Sequence, residues 1–277
     1  MFSVLSALVS QISSLVPPGL LQTLIIAYMP INGPNPFFSE LIGTILMVAL
    51  TFSPGKWIFS DALYPSWLAH AAGVVASDKL GGGQHVNPSM SISMYALGKC
   101  TYSEMVMRIA GAMAGGLLAF PLCKTLSDFM GWMPLGGPEY NPVGDADASA
   151  SAFNEFASTL LLCFIVYLVN WELNFGKHHY WIKQTLTAVG IRFLIVAYPT
   201  SGPAMNPMLG TTWAVFATGA YPNDTRHYFV YWVASMLGAI VASFVYAVYD
   251  GCTFFGKTLP FGPIKKKATT KASKKKN

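Results

Sequence analysis

The sequence predicts an all-α membrane protein in which six transmembrane helices and two re-entrant half-helices form an inverted repeat. Composition is the first observation behind this. The 277 residues are 53% hydrophobic and only 10% charged, with a mean hydropathy of +0.46, whereas soluble domains carry about 25% charged residues. Six apolar runs are the second, covering roughly 36–54, 58–80, 104–126, 153–171, 181–200 and 227–250. Each is near the ~20 residues a helix needs to cross ~30 Å of hydrocarbon. In lipid the backbone must satisfy its own hydrogen bonds, which favours helices. The third is a pair of related stretches, Gly-Gly-Gln-His-Val-Asn-Pro-Ser at 82–89 and Ser-Gly-Pro-Ala-Met-Asn-Pro-Met at 201–208. Asn is a preferred N-cap and Pro suits the first helical turn, so Asn87-Pro88 and Asn206-Pro207 each predict the start of a short helix.

Taken in order, residues 1–35 form an N-terminal apolar segment. Phe2, Leu5, Val9, Ile12 and Val16 recur at helical spacing with serines between them. No Lys or Arg there supplies the n-region of a signal peptide. A helix lying in the membrane interface is expected. Residues 36–126 hold three spans with a re-entrant loop at 81–97. An acidic connection, 127–152, carries Asp128, Glu139, Asp145 and Asp147, and Asn141-Pro142 within it reads as a turn. Residues 153–250 hold three more spans with a re-entrant loop at 201–216, and 251–277 form a lysine-rich tail.

Charge orients these segments. Seven of the 17 basic residues follow Pro263, leaving ten against 12 acidic ones in the rest of the chain. A basic tail on an apolar chain points to a cytosolic address or anchor and not to nucleic acid. Lys79 and Lys99 flank the first Asn-Pro loop, and the connection 172–183 leading into the fifth span holds Lys177 and Lys183. These loops and both termini are therefore expected in the cytosol, although Lys56, Lys124 and Arg226 fall on the other side. Cys100, Cys123, Cys163 and Cys252 lack metal-ligand spacing and read as small apolar fillers. No nucleophile–base set, phosphate-binding loop or metal cluster is apparent, so neither an enzyme nor a cofactor is expected.

The two halves repeat. Phe38–Leu46 lies over Phe153–Leu161 with Glu40 over Glu155, Asn87-Pro88 lies over Asn206-Pro207, and Ala110–Ala119 lies over Val233–Ala242. Three spans per half invert the second copy relative to the first. The two half-helices then enter from opposite sides, and their positive N-terminal ends meet near the midplane. Irregular backbone is tolerated at that depth where it lines a cavity. A pore results, with two Asn donors for a neutral permeant and an electrostatic barrier to protons and cations.

These residues resemble the aquaporins, or major intrinsic proteins, over about 36–250. Ser201–Pro207, Val230–Ser235 and the lysine-rich end are most similar to the small basic intrinsic proteins, with the unorthodox intracellular aquaporins as neighbours. The resemblance implies an aquaporin-like right-handed bundle that acts as a passive channel for water or another small neutral solute, packed as a homotetramer in lipid. Asn87 and Asn206 would donate to the permeant at the motifs Asn87-Pro88-Ser89 and Asn206-Pro207-Met208. Glu40 and Glu155 would hold the loops, and His85 matches the His of the first loop. Met208, bulkier than the usual Ala, is expected to narrow or tilt the second half-helix. The constriction falls at Trp67, Leu194, Pro203 and Leu209, with Leu209 where the family usually carries Arg, so the constriction is expected to be apolar.

Arg192 lies two residues from Leu194, which is ~200° around a helix. The two are not expected to face the pore together: Arg192 on the pore would replace the missing Arg, and the preferred expectation is that it pairs with a buried carboxylate. His70 is expected to be packed, and His178 and His179 to be solvated. Asn223-Asp224-Thr225 is a glycosylation sequon. Lys274 and Lys275 stand four and three positions from the final carboxyl group, in the manner of a dilysine retrieval signal read by coat proteins. The competing classes are a secondary transporter, which needs ion-coupling carboxylates at the midplane, and a non-conducting structural membrane protein plugged by Met208.

Overall fold

The computed structural model describes residues 35–52, 62–131, 135–140 and 147–265. The expectations for residues 1–34, for Asn141-Pro142 and for Lys274 and Lys275 lie outside them. Eight main helices occur among the described residues: α1 (Pro36–Thr51), α2 (Leu63–Gly81), α3 (Pro88–Ala96), α4 (Tyr102–Met130), α5 (Ala148–Glu172), α6 (His179–Ala197), α7 (Pro207–Thr218) and α8 (Thr225–Asp250). The last turn of α5 and residues Phe229–Ala234 of α8 are π-helical. Helices α4, α5 and α8 are long and apolar enough to cross a membrane, and α1 is a shorter apolar helix.

Local chemistry sets the helix starts. Asn35 precedes Pro36 and its Oδ1 accepts from the Phe37 N–H at 2.9 Å. The Thr101 hydroxyl accepts from the Glu104 N–H at 3.1 Å, and Asp147 and Asp224 cap α5 and α8 in the same way. Each cap satisfies a helix N–H that has no partner within its own helix.

Packing repeats the sequence symmetry. Helix α1 packs on α2 and α4, as α5 packs on α6 and α8. Each half-helix crosses to the other half, α3 against α8 and α7 against α4. Close approach depends on glycine. A Cβ on Gly115 would meet the Leu41 carbonyl at 2.7 Å, and one on the repeat-related Gly238 would meet the Phe156 carbonyl. Small residues of this kind let membrane helices approach closely, where apolar burial gives no net drive. Large apolar side chains such as Leu118, Leu122, Phe153, Phe193 and Val196 project outward, as a lipid-facing surface requires. The chain is thus an integral membrane protein.

Beyond α8, residues 251–265 fold back over one end of the bundle. The Phe255 N–H donates to the Ala96 carbonyl at the end of α3 at 2.7 Å. Lys265 pairs with Glu172 at 2.8 Å and with Asp250 at 3.5 Å. Lys79 and Lys183 lie over the Tyr180 ring and Lys99 over Trp171.

Candidate functional site

The two Asn-Pro motifs meet inside the bundle, and the asparagines join them. The Asn87 Oδ1 accepts from the Ser89 N–H at 2.9 Å, and the Asn206 Oδ1 accepts from the Met208 N–H at 3.0 Å. The amide nitrogens then cross over. Asn87 Nδ2 donates to the Met205 carbonyl at 2.7 Å, and Asn206 Nδ2 donates to the Val86 carbonyl at 2.9 Å. A primary amide carries two hydrogens. One on each Asn is held by the opposite loop, which leaves one for the cavity that both residues line.

The carbonyls reach their partners because the residue before each Asn is left-handed: φ is 58° at Val86 and 50° at Met205. A β-branched residue rarely adopts this conformation, so the surrounding structure must impose it. A fully buried carboxylate does so in each half. The His85 N–H donates to Glu40 Oε1 at 2.6 Å and the Val86 N–H to Oε2 at 2.7 Å. The Ala204 N–H donates to Glu155 Oε1 at 2.8 Å and the Met205 N–H to Oε2 at 2.9 Å. The hydroxyls of Ser201 and Ser235 complete the second clamp at 2.9 and 3.0 Å. Arg108 completes the first, donating to Glu40 at 2.7 Å and pairing with Glu104 at 2.9 Å. His85 is tied to Glu40 through its backbone, while its ring Nδ1 lies 3.0 Å from the Ser91 hydroxyl.

A cavity of about 870 Å³ runs past the asparagines. Pro203 and Leu209 line it, whereas Trp67 and Leu194 do not. The expected constriction is corrected in these two places. Leu194 is fully buried in a cluster with Leu162 and Met205, and the α6 wall includes Thr187, Ile191, Arg192 and Ile195, with Tyr180, Lys183 and Gln184 nearer the start of the helix. The α2 wall includes His70, Val74 and Asp78, at four-residue spacing, with Lys79 beside them. His70, expected to be packed, is buried, yet it lines the cavity.

Two other expectations are corrected by packing. Met208 does not line the cavity. It is fully buried against Val86 and Ala112, in space that exists because position 116 is glycine. A Cβ there would collide with the Met208 Sδ and lie 2.7 Å from the Thr212 hydroxyl. Arg192 pairs with no carboxylate among the described residues; Arg108 takes Glu40 instead. Sequence reasoning missed Arg108, the cavity position of His70 and the glycine under Met208. The four-residue spacing of His70, Val74 and Asp78 and the replacement of Gly116 by Ala239 in the second repeat were the available signals. Asn223 lies in the irregular segment 221–224 before α8.

The profile of the Major intrinsic protein family matches residues 34–246. Aquaporin SIP1-1 of Arabidopsis thaliana is 27% identical over 171 residues, which cover 60% of this chain and 66% of that protein. Aquaporin SIP1-2 of Zea mays is 26% identical over 172 residues, covering 60% of this chain and 65% of the relative. The match thus spans just under two thirds of these relatives' length. The X-ray structure of the aquaglyceroporin from Plasmodium falciparum shares the fold, with a TM-score of 0.60 and 21% identity, over 76% of this chain and 94% of that one.

Proposed function

Since the chain belongs to the major intrinsic protein family, we propose that it is a passive transmembrane channel for water or another small neutral solute. The crossed asparagine amides carry this reading. Two donors, fixed by opposite loops at the ends of two helices, offer hydrogen bonds to a permeant oxygen. The helix dipoles repel cations at the same point. Ion-coupled transport finds less support, because Glu40 and Glu155 are occupied as loop clamps. A plugged pore finds less support because Met208 packs away from the cavity. The end bearing Lys79, Lys99, Lys183 and Lys265 is taken as cytosolic by charge. Lys274 and Lys275 support an address in the endoplasmic reticulum, and the resemblance to the family supports a tetramer.

Stopped-flow swelling of proteoliposomes tests the reading, with water, glycerol, urea and hydrogen peroxide compared. The native protein should raise at least one passive permeability above the lipid background. Asn87→Leu and Asn206→Leu should each return it to that background while the protein still inserts. Full permeability in both variants, or flux that needs an ion gradient, would overturn the channel as drawn.

A further inference from the structure

Helix α3 has nine residues, ~13 Å of rise, and a helix of this length is not stable on its own. Glu40 and Asn206 hold the residues that lead into its inner end. At the outer end its last three carbonyls are all taken. The Lys99 N–H donates to the Met94 carbonyl at 2.8 Å and the Gly98 N–H to the Tyr95 carbonyl at 3.0 Å. This local closure uses the left-handed Gly98, φ 67°. The third carbonyl, on Ala96, accepts from Phe255, far along the chain. Helix α7 has twelve residues and closes on itself, its Val215 carbonyl taking the Gly219 N–H at 2.8 Å. The shorter half-helix is therefore finished by a separate segment.

That segment, residues 251–265, is built to hold the bond. Phe255 is left-handed, with φ 48°, a conformation that a bulky residue adopts only where its contacts impose it. Its ring packs edge-on against Tyr95 of α3, with 5.7 Å between centroids. Gly98 lies so near Thr253 that a Cβ would come 3.2 Å from its hydroxyl. Cys252, Phe254 and Leu259 pack against the cluster that contains Met90 and Leu97. The far end is fastened to the ends of α8 and α5. The Ile264 and Lys265 N–H groups donate to the Val248 and Tyr249 carbonyls at 3.3 and 2.9 Å, and the Lys265 ammonium meets Glu172 at 2.8 Å. The Tyr246 hydroxyl donates to the same carboxylate at 2.8 Å. The segment is thus a closed loop seated on α3, and none of its residues lines the cavity.

We propose that residues 251–265 are the brace that positions α3, and through it the Asn87 amide, for conduction. The inference rests on the channel reading. With its outer end free, α3 can tilt about its clamped inner end. The bond from Asn87 Nδ2 to the Met205 carbonyl, at 2.7 Å, tolerates less than ~1 Å of such movement before it is lost. Its loss lets the amide rotate and removes one of the two oriented donors offered to a permeant. Phe255 and Lys265 are accordingly positioning residues, which act on the pathway through α3 without touching the permeant.

The test compares the native protein with Phe255→Pro and Glu172→Lys in proteoliposomes. Proline has no N–H and cannot adopt φ 48°, and Glu172→Lys turns the attraction of Lys265 into repulsion. Passive flux is read by swelling, and hydrogen exchange with mass spectrometry reads residues 88–97 and 207–218 separately. Each variant should lower flux by roughly threefold or more, the weight of one hydrogen bond. Each should raise exchange in 88–97 while 207–218 stays native. Adding Lys265→Glu to Glu172→Lys remakes the ion pair and should restore both readings. Phe255→Pro carries the test if Glu172→Lys fails to fold. Native exchange in 88–97, or exchange raised equally in both half-helices, overturns the brace. Raised exchange in 88–97 with native flux overturns its link to the pore. Native protein without passive flux above lipid overturns the channel reading and that link with it, while exchange still decides whether α3 is braced.

Discussion

Glu155 accepts four hydrogen bonds, two from backbone N–H groups and two from hydroxyls. Together they hold Met205 left-handed and so aim its carbonyl at Asn87. Glutamine in this place would present an NH₂ group to donors. A hydrogen bond to a charged group contributes about 1.5–3 kcal/mol, and an orphaned donor costs about 1–3 kcal/mol. Glu155→Gln is therefore expected to destabilise the protein by about 3 kcal/mol and to lower passive flux. Denaturation in detergent and swelling assays measure the two effects. A native unfolding midpoint would show that the carboxylate does not hold the loop. Glu40 has the same task with Arg108 added, so its loss should also take from Arg108 one of its two carboxylate partners and leave it only Glu104.

Among the helices, the contact between α7 and α4 replaces the usual small residue with a large one. Met208 fits because Gly116 faces it, whereas the second repeat has Ala239 in place of that glycine. Adding a methyl group to Gly116 overpacks this contact, at a cost of about 1–3 kcal/mol. Met208→Ala alone opens a cavity, at about 2–5 kcal/mol. The Gly116→Ala, Met208→Ala double variant should be more stable than the sum of the single effects predicts, since each change fills or vacates the same space. Denaturation of the four proteins in detergent gives the coupling. Additive effects would mean that Met208 does not sit against position 116. The Asn-Pro pairs belong to this scale too. Asn35-Pro36 starts α1 by the same cap as the other two, so the dipeptide specifies a helix start, and only its place in the fold sets Asn87 and Asn206 on the cavity.

For the whole molecule, the segment 251–265 is anchored over one end of the bundle. Lys265 is fixed to Glu172 and Asp250. On the proposed reading that end is cytosolic, and Lys274 and Lys275 are a signal read by its distance from the carboxyl terminus. Lys274→Ser with Lys275→Ser leaves five tail lysines, so electrostatic attraction to lipid, roughly 1 kcal/mol per nearby Lys, changes only modestly. Loss of a positional signal is complete, and fluorescence microscopy should find the variant at the plasma membrane or vacuole. A few alanines added after Asn277 keep every charge and should give the same result. Retention of both variants in the endoplasmic reticulum would exclude the dilysine signal.

By itself the sequence determined the membrane class, the six apolar runs, the inverted repeat, the two half-helix starts and the intramembrane glutamates in register. Each depends on a local property: run length, Asn-Pro capping, or a charge where lipid forbids one unpaired. Tertiary structure decided which groups those local features meet. The ~200° argument for α6 separated Arg192 from Leu194 correctly but could not say which one faced the cavity. In a membrane helix the lipid face and the packed face are both apolar, so periodicity does not tell a cavity wall from a buried contact. The same ambiguity hid the direction of Met208 and the choice of Arg108 as the partner of Glu40. The crossed bonds from Asn87 to Met205 and from Asn206 to Val86 join residues more than a hundred positions apart. They arise only once the two inverted halves have packed, because each loop supplies the acceptor that orients the other's donor.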